Sequence, residues 1–279
     1  MNFDWWTNIS MTFFRKSWYW NDNDNDYVYR SNNRIGQLTK DVFIGLSLLE
    51  ELQLNKATLY RLIAGCFKPL VSLKVLQLAG NILSRQKLGP TLFQGLHQLE
   101  YLNLDDCRIS SFSQQGVFSG CRKLRTLSMR NNAIMFFNVN PFVDAASLTS
   151  IDLANNQIRG WVKKLLSSSP NMKLLDLTNN HISTATKAML QDVGHLQEVN
   201  LHGNPLDCNC QLLPFKKYVL PSANQSQLVI KVDYCSSPSE WRFAPVAHFL
   251  AVLQHQHCAN VRYQSVPSSI QRINGGSPV

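Results

Sequence analysis

The stretch Leu99-Glu100-Tyr101-Leu102-Asn103-Leu104-Asp105-Asp106-Cys107-Arg108-Ile109 decides the fold, because its pattern returns along the chain. With Leu, Ile and Val interchangeable it reads L-x-L-x-x-(N/C)-x-(L/I). The same pattern appears at Ile151-Asp152-Leu153-Ala154-Asn155-Asn156-Gln157-Ile158, again from Leu175 to Ile182, and again from Val199 to Leu206. Its Asn-type position falls at residues 33, 57, 81, 107, 132, 156, 180 and 204, at intervals of 24, 24, 26, 25, 24, 24 and 24. Self-similarity at such a period marks a chain of stacked units, each unable to bury its own apolar face.

A second column is locked to the first. Fourteen residues before each Asn-type position after the first stand Phe43, Phe67, Phe93, Phe118, Phe142, Leu166 and Leu190. The extra residues of the longer intervals therefore fall between the Asn-type position and the next Phe, and leave the Phe-to-strand half intact. Leu102 and Leu104 alternate with Tyr101, Asn103 and Asp105, the period of a strand with one buried face. An Asn side chain offers two donors and an acceptor for backbone groups where a coil turns inward. Cys107 can do this more weakly, and Ala57 cannot. The expected architecture is α/β: a horseshoe solenoid with a parallel sheet on its concave face and the Phe column filling the wider convex half. Seven steps of ~4.8 Å make a stack of about 34 Å.

These repeats resemble the extracellular leucine-rich-repeat family of the 24-residue, Phe-spined type, as in Toll-like receptors, variable lymphocyte receptors and Slit-like proteins. The likeness runs from about residue 32 to residue 258. After the last repeat, Asn204-Pro205-Leu206-Asp207-Cys208-Asn209-Cys210, followed by Cys235 and Cys258, is similar to that family's C-terminal flanking module. Phe215 and Tyr218 stand where the family often has Trp. The resemblance implies pairing of Cys208 with Cys235 and of Cys210 with Cys258; the sequence alone permits three connectivities. A zinc site with His255 or His257 competes, but structural zinc usually takes two close cysteine pairs, and only one C-x-C is present. Disulfides that persist require an oxidising compartment, so the cap implies an extracellular protein. Of the other cysteines, Cys107 and Cys121 read as buried thiols, and Cys66 as partly exposed.

At 279 residues and 44% hydrophobic, the chain can bury a substantial core. Its formal charge of +9 is dispersed, with no run of five Lys or Arg, so nucleic acid is not an expected partner. No apolar stretch reaches the ~18 residues that span a bilayer, so membrane attachment is expected only through segments outside this chain. Met1 to Trp20 lacks the basic and apolar regions of a secretory signal. Residues 1–31 hold no cysteine and read as an atypical cap or as foreign sequence before a truncated solenoid, the latter favoured, and as disordered in either case. The repeats, about eight, occupy 32–206, the cysteine-bonded cap 207–258, and a Ser/Pro/Gly-rich flexible tail 259–279. Glycosylation sequons stand at Asn8 and Asn224.

Outward strand positions form three columns on the concave face. One reads Tyr101, Thr126, Ser150, Leu174, Glu198. The next reads Gln53, Gln77, Asn103, Ser128, Asp152, Asp176, Asn200. The third reads Asn55, Ala79, Asp105, Arg130, Ala154, Thr178, His202. With Glu51, Lys56 and Asp106 added, acids outnumber bases six to two on a chain that is basic overall. The ligand site is therefore expected around Tyr101, Asn103, Asp105, Asp106, Arg130, Asp152, Asp176 and His202, facing a protein with a basic surface; the competing reading is an ordinary solvated sheet. Nucleophile-elbow, zinc-protease and phosphate-loop motifs are missing, no metal or cofactor is expected, and the chain reads as a binding protein and not an enzyme. The resemblance implies the ectodomain, or a fragment of one, of a cell-surface or secreted receptor, with innate-immune Toll-like recognition leading. A secreted matrix or adhesion spacer is the alternative, and an intracellular scaffold the third.

Overall fold

In the computed structural model the described residues are 27–29, 34–84, 88–161, 164–184, 186–220, 228–253 and 258. Among the described residues nine strands form one parallel sheet: β1 (Tyr27–Tyr29), β3 (Glu51–Gln53), β5 (Val75–Gln77), β6 (Tyr101–Asn103), β7 (Thr126–Ser128), β8 (Ser150–Asp152), β9 (Leu174–Asp176), β10 (Glu198–Asn200) and β12 (Val229–Lys231), in that order; apart from it, β2 (Gln37–Leu38) pairs in parallel with β4 (Arg61–Leu62). The register holds one phase throughout, with Leu52, Leu76, Leu102, Leu127, Ile151, Leu175 and Val199 side by side. Each of these faces inward and is buried, while its two strand neighbours face out. A one-residue slip would turn every leucine to solvent, so burial sets the register.

Two internal ladders hold the coils together. Asn156 donates through Nδ2 to the carbonyls of Met129 (2.9 Å) and Leu153 (3.0 Å), and its Oδ1 accepts from Ile134 N at 3.1 Å. Asn81, Asn132, Asn180 and Asn204 repeat this pattern across their own coil and the one before it. Cys107 keeps one strand of the pattern, donating from Sγ to Leu78 O at 3.2 Å. The phenylalanine column stacks as Phe43, Phe67, Phe93, Phe118 and Phe142, with ring centroids 5.8–6.2 Å apart.

Tyr27–Tyr29, within segment 1–31, pair with β3 in the common register, Val28 opposite Leu52. The sheet therefore begins before residue 32. Cys66 is buried, not partly exposed. Its N–H closes a tight turn onto Ile63 O at 2.9 Å, and the residue before the Phe-column position is drawn inside here as it is at Leu92, Val117 and Leu165. Burial pushes the thiols of Cys66, Cys107 and Cys121 up to about 12. The sequons Asn8 and Asn224 and the tail from 259 lie outside the described residues.

The C-terminal end is sealed by the cap. Disulfides join Cys208 to Cys235 and Cys210 to Cys258, each with Cα atoms 5.5 Å apart. Strand β11 (Leu206–Asp207) pairs with β13 (Cys235–Ser237), and a 3-10 segment, Cys210–Phe215, leads into α2 (Lys216–Val219). Leu212 and Phe215, with Val246, Phe249 and Leu250 of helix α3 (Val246–Val252), cover the apolar end that the last coil would otherwise expose.

Candidate functional site

The concave face is built from residues that flank each buried strand leucine. Parallel pairing leaves one recurring donor without a backbone partner, the N–H of the third column, and side chains of the sheet supply its acceptor. Asn103 Oδ1 accepts from Asp105 N (2.8 Å), Asp152 Oδ1 from Ala154 N (3.0 Å), Asp176 Oδ1 from Thr178 N (2.8 Å), and Asn200 Oδ1 from His202 N (3.1 Å). Where the second column holds Gln77 or Ser128, the preceding coil supplies the oxygen instead. Asn55 Oδ1 then accepts from Ala79 N at 2.8 Å, and Asp105 Oδ1 from Arg130 N at 2.7 Å. One oxygen of Asp105, Asp152 and Asp176 is thus engaged with backbone, a duty the alternation of the sequence did not reveal. The signal was present: an Asn or Asp two residues before each such position, or one coil before it.

The expected site residues come together across β6 to β10. Arg130 lies between two of the acids; its guanidinium meets Asp152 Oδ2 at 3.0 Å while its N–H binds Asp105. Ser128 Oγ also donates to Asp105, at 2.6 Å. Asp106 is exposed at φ 54, in a column of left-handed residues that includes Asn131, Asn155 and Asn179 at φ 54–56. Gly203 ends that column; a Cβ there would sit 1.9 Å from Asn179 Oδ1, so only glycine fits. Ala154 and Ser128, both placed on the outward face, are buried.

Electrostatics distinguish Asp152. Burial raises its pKa first, and the carboxylates of Asp176 and Asp105 raise it further, against the lowering effect of the Ala154 N–H and of Arg130. Tyr101 is raised by burial and by the charge of Asp105. The sheet therefore carries a row of carboxylates that Arg130 neutralises only in part.

Cap strand β12 extends this surface, which the sequence reading missed. Val229 continues the first column after Glu198, and Lys231 the second after Asn200. Lys231 Nζ meets Glu198 Oε1 at 2.7 Å. Asp233 contacts His202 Nδ1 through one oxygen and accepts from Gly203 N at 2.8 Å through the other. The alternation Leu228-Val229-Ile230-Lys231-Val232 could have marked this strand. Lys231 and Asp233 add one charge of each sign, so the acidic excess stays at four, from six against two to seven against three. Leu174 and Val229, 45% and 38% exposed, put apolar surface on the same columns.

The leucine rich repeat family model matches residues 30–83, 84–134, 111–158 and 146–206, more than half of the sequence. The chain belongs to the leucine-rich repeat family. Among curated proteins, this leucine-rich repeat chain is similar to Toll-like receptor 9 of Canis lupus familiaris, 33% identical over 92 residues, which is 32% of this chain and 9% of the receptor. It is also similar to nephrocan of Mus musculus, 27% identical over 155 residues, 56% of this chain and 29% of nephrocan. The chain spans less than a third of the length of these relatives. Among solved structures, human 5T4 (Wnt-activated inhibitory factor 1, trophoblast glycoprotein) shares the fold at TM-score 0.62 and 22% identity, over 79% of this chain and 84% of that one. The four cap cysteines are held in disulfides, and among the described residues no cluster of His, Cys, Asp or Glu could hold a metal ion. Among those residues, too, no helix is long and apolar enough to cross a membrane.

Proposed function

We propose that this chain is an extracellular protein-recognition module, part of the ectodomain of a leucine-rich-repeat receptor of the innate-immune, Toll-like kind. Its ligand is a protein that presents a basic surface to the concave sheet. Two disulfides in the cap support the extracellular assignment, since such bonds persist in oxidising compartments. Similarity to Toll-like receptor 9 supports the receptor class.

The observation that carries the reading is Asp152. Its carboxylate is half-withdrawn from water between Asp105 and Asp176, and its raised pKa means that the ionised form is disfavoured in the fold. An Asn there would keep the acceptor for Ala154 N without the charge. A charge held against burial and two neighbouring carboxylates, with Arg130 as its counter-ion, points to use by a partner. Tyr101, two strands away in the adjacent column of the same sheet, adds an aromatic of the type enriched at interface centres.

The test uses paired substitutions Asp152→Asn and Asp176→Asn, which preserve both backbone acceptors and remove two charges. Wild-type chain is first screened against an arrayed library of extracellular protein domains. The binder it selects should lose at least tenfold in affinity for the double variant. Equal affinity for both proteins sinks the reading.

A further inference from the structure

We propose that the flank rising toward the strands between Arg122 and Gln197 is a second binding surface, for a linear sulfated polysaccharide. This inference is independent of the concave face. Three columns line the flank: the residue just before each strand, and those two and three residues earlier. From Arg122 to Gln197 these positions carry Arg122, Lys123, Arg125 and Lys173, and no acid. All four bases are exposed. Among the described residues none of the four forms an ion pair; the nearest acids by position are Glu100, one coil before Arg125, and Asp144, toward the convex side.

The flank is also stapled flat. Ser147 Oγ donates to Arg122 O at 2.7 Å, Thr149 Oγ1 to Arg125 O at 3.0 Å, and Asn171 Nδ2 to Ala146 O at 2.9 Å, each tying one coil to the previous one. These polar side chains are spent on backbone, and Lys123 Nζ rests on the neutral Gln98 Oε1 at 2.6 Å. The backbone that carries the charged groups is therefore tied from coil to coil, with the Arg125 and Lys173 positions in line two coils, or about 10 Å, apart. A polymer with anionic groups repeated along its length meets such a line at several points, and guanidinium groups suit sulfate oxygens as bidentate donors. Phe, Tyr and Trp are missing from these flank positions, which disfavours single-stranded nucleic acid, whose bases need stacking platforms. Exposed large hydrophobics are missing there too, which disfavours a membrane surface.

The experiment measures binding of the full chain to immobilised heparin between 50 and 200 mM salt. The variant Arg122→Ser/Lys123→Ser/Arg125→Ser should bind at least tenfold more weakly, with a log–log salt slope lower by about three, close to one unit per lost contact. A second variant, Lys173→Ser alone, should lose a smaller, additive share, which keeps the test open if the triple variant misfolds. The triple variant Arg61→Ser/Arg159→Ser/Lys164→Ser, beyond the Asn-type positions, should bind as wild type. The inference is overturned by undiminished binding of the Arg122 triple variant, by equal loss in the Arg61 triple variant, or by no binding of wild type at 50 mM salt. Tighter binding of a 20-base-pair DNA duplex than of heparin also overturns it, because the surface would then be a nucleic-acid site.

Discussion

The carboxylate of Asp192 accepts a hydrogen bond from the indole Nε1 of Trp161 at 2.9 Å, joining residues 31 apart in the chain. Asp192 is only 4% exposed and lies on helix α1 (Lys187–Val193). The same carboxylate accepts from Leu165 N at 2.7 Å and Leu166 N at 3.0 Å. This is where the phenylalanine column gives way to Leu166 and Leu190, so a polar staple takes over as the aromatic stack ends.

Replacing Asp192 by Ala leaves three buried donors without an acceptor, a loss of about 3 kcal/mol or more. Asp192→Asn keeps one oxygen and should lose less. Urea unfolding of both variants checks this order; equal stability of Asp192→Ala and wild type would refute the staple.

Phe243 is 73% exposed and sits at φ 67, a left-handed conformation that a bulky residue avoids. The Arg242 guanidinium lies 5.0 Å from its ring centroid. Phe243→Gly relieves the backbone and should raise stability by about 1 kcal/mol. Thermal unfolding reads this directly, and a lower midpoint would show that the ring contributes packing that its exposure conceals.

Asp152 predicts a pH effect of definite sign. Its folded pKa is raised above 3.8, so the folded state binds its proton more tightly than the unfolded chain does. Its contribution is fully present below pH 3.8 and is lost as pH rises through the folded value. Asp152→Asn should therefore be at least as stable as wild type at pH 7, with its relative advantage shrinking toward pH 3. Chemical denaturation at both values tests this; a variant clearly weaker at pH 7 would mean that the Arg130 ion pair outweighs burial.

The cap disulfides close loops of 27 and 48 residues. In the chain-entropy picture each adds about 3.5 to 4 kcal/mol. The double variant Cys208→Ser/Cys235→Ser should lose stability of that order, read as an earlier urea-unfolding midpoint. By contrast, Cys66, Cys107 and Cys121, with thiols pushed up to about 12, should resist iodoacetamide at pH 8 until the chain unfolds. Their raised values also mean stability lost as pH climbs from 9 toward 12. Rapid labelling of the native protein at pH 8 would contradict their burial.

The repeat spacing determined the solenoid, its strand register, the Asn ladder and the phenylalanine column, because each is a periodic demand that one coil makes on the next. Leu102 and Asn156 had to be inside wherever the coils stacked. Resemblance to a family supplied the cap pairing. Tertiary structure alone decided what the outward residues do, since period-2 alternation says that Asp105, Asp152 and Asp176 face away from the core but not that each holds a backbone N–H. It also decided that Val229 and Lys231 extend the concave sheet, that Val28 lies opposite Leu52, and that Asp192 reaches Trp161. The pairing of Glu198 with Val229 and the contact of Asp192 with Trp161 each span 31 residues, off the repeat period, so the repeat spacing did not announce them. Val28 and Leu52, 24 apart, keep the period in a stretch whose neighbouring residues depart from the repeat pattern.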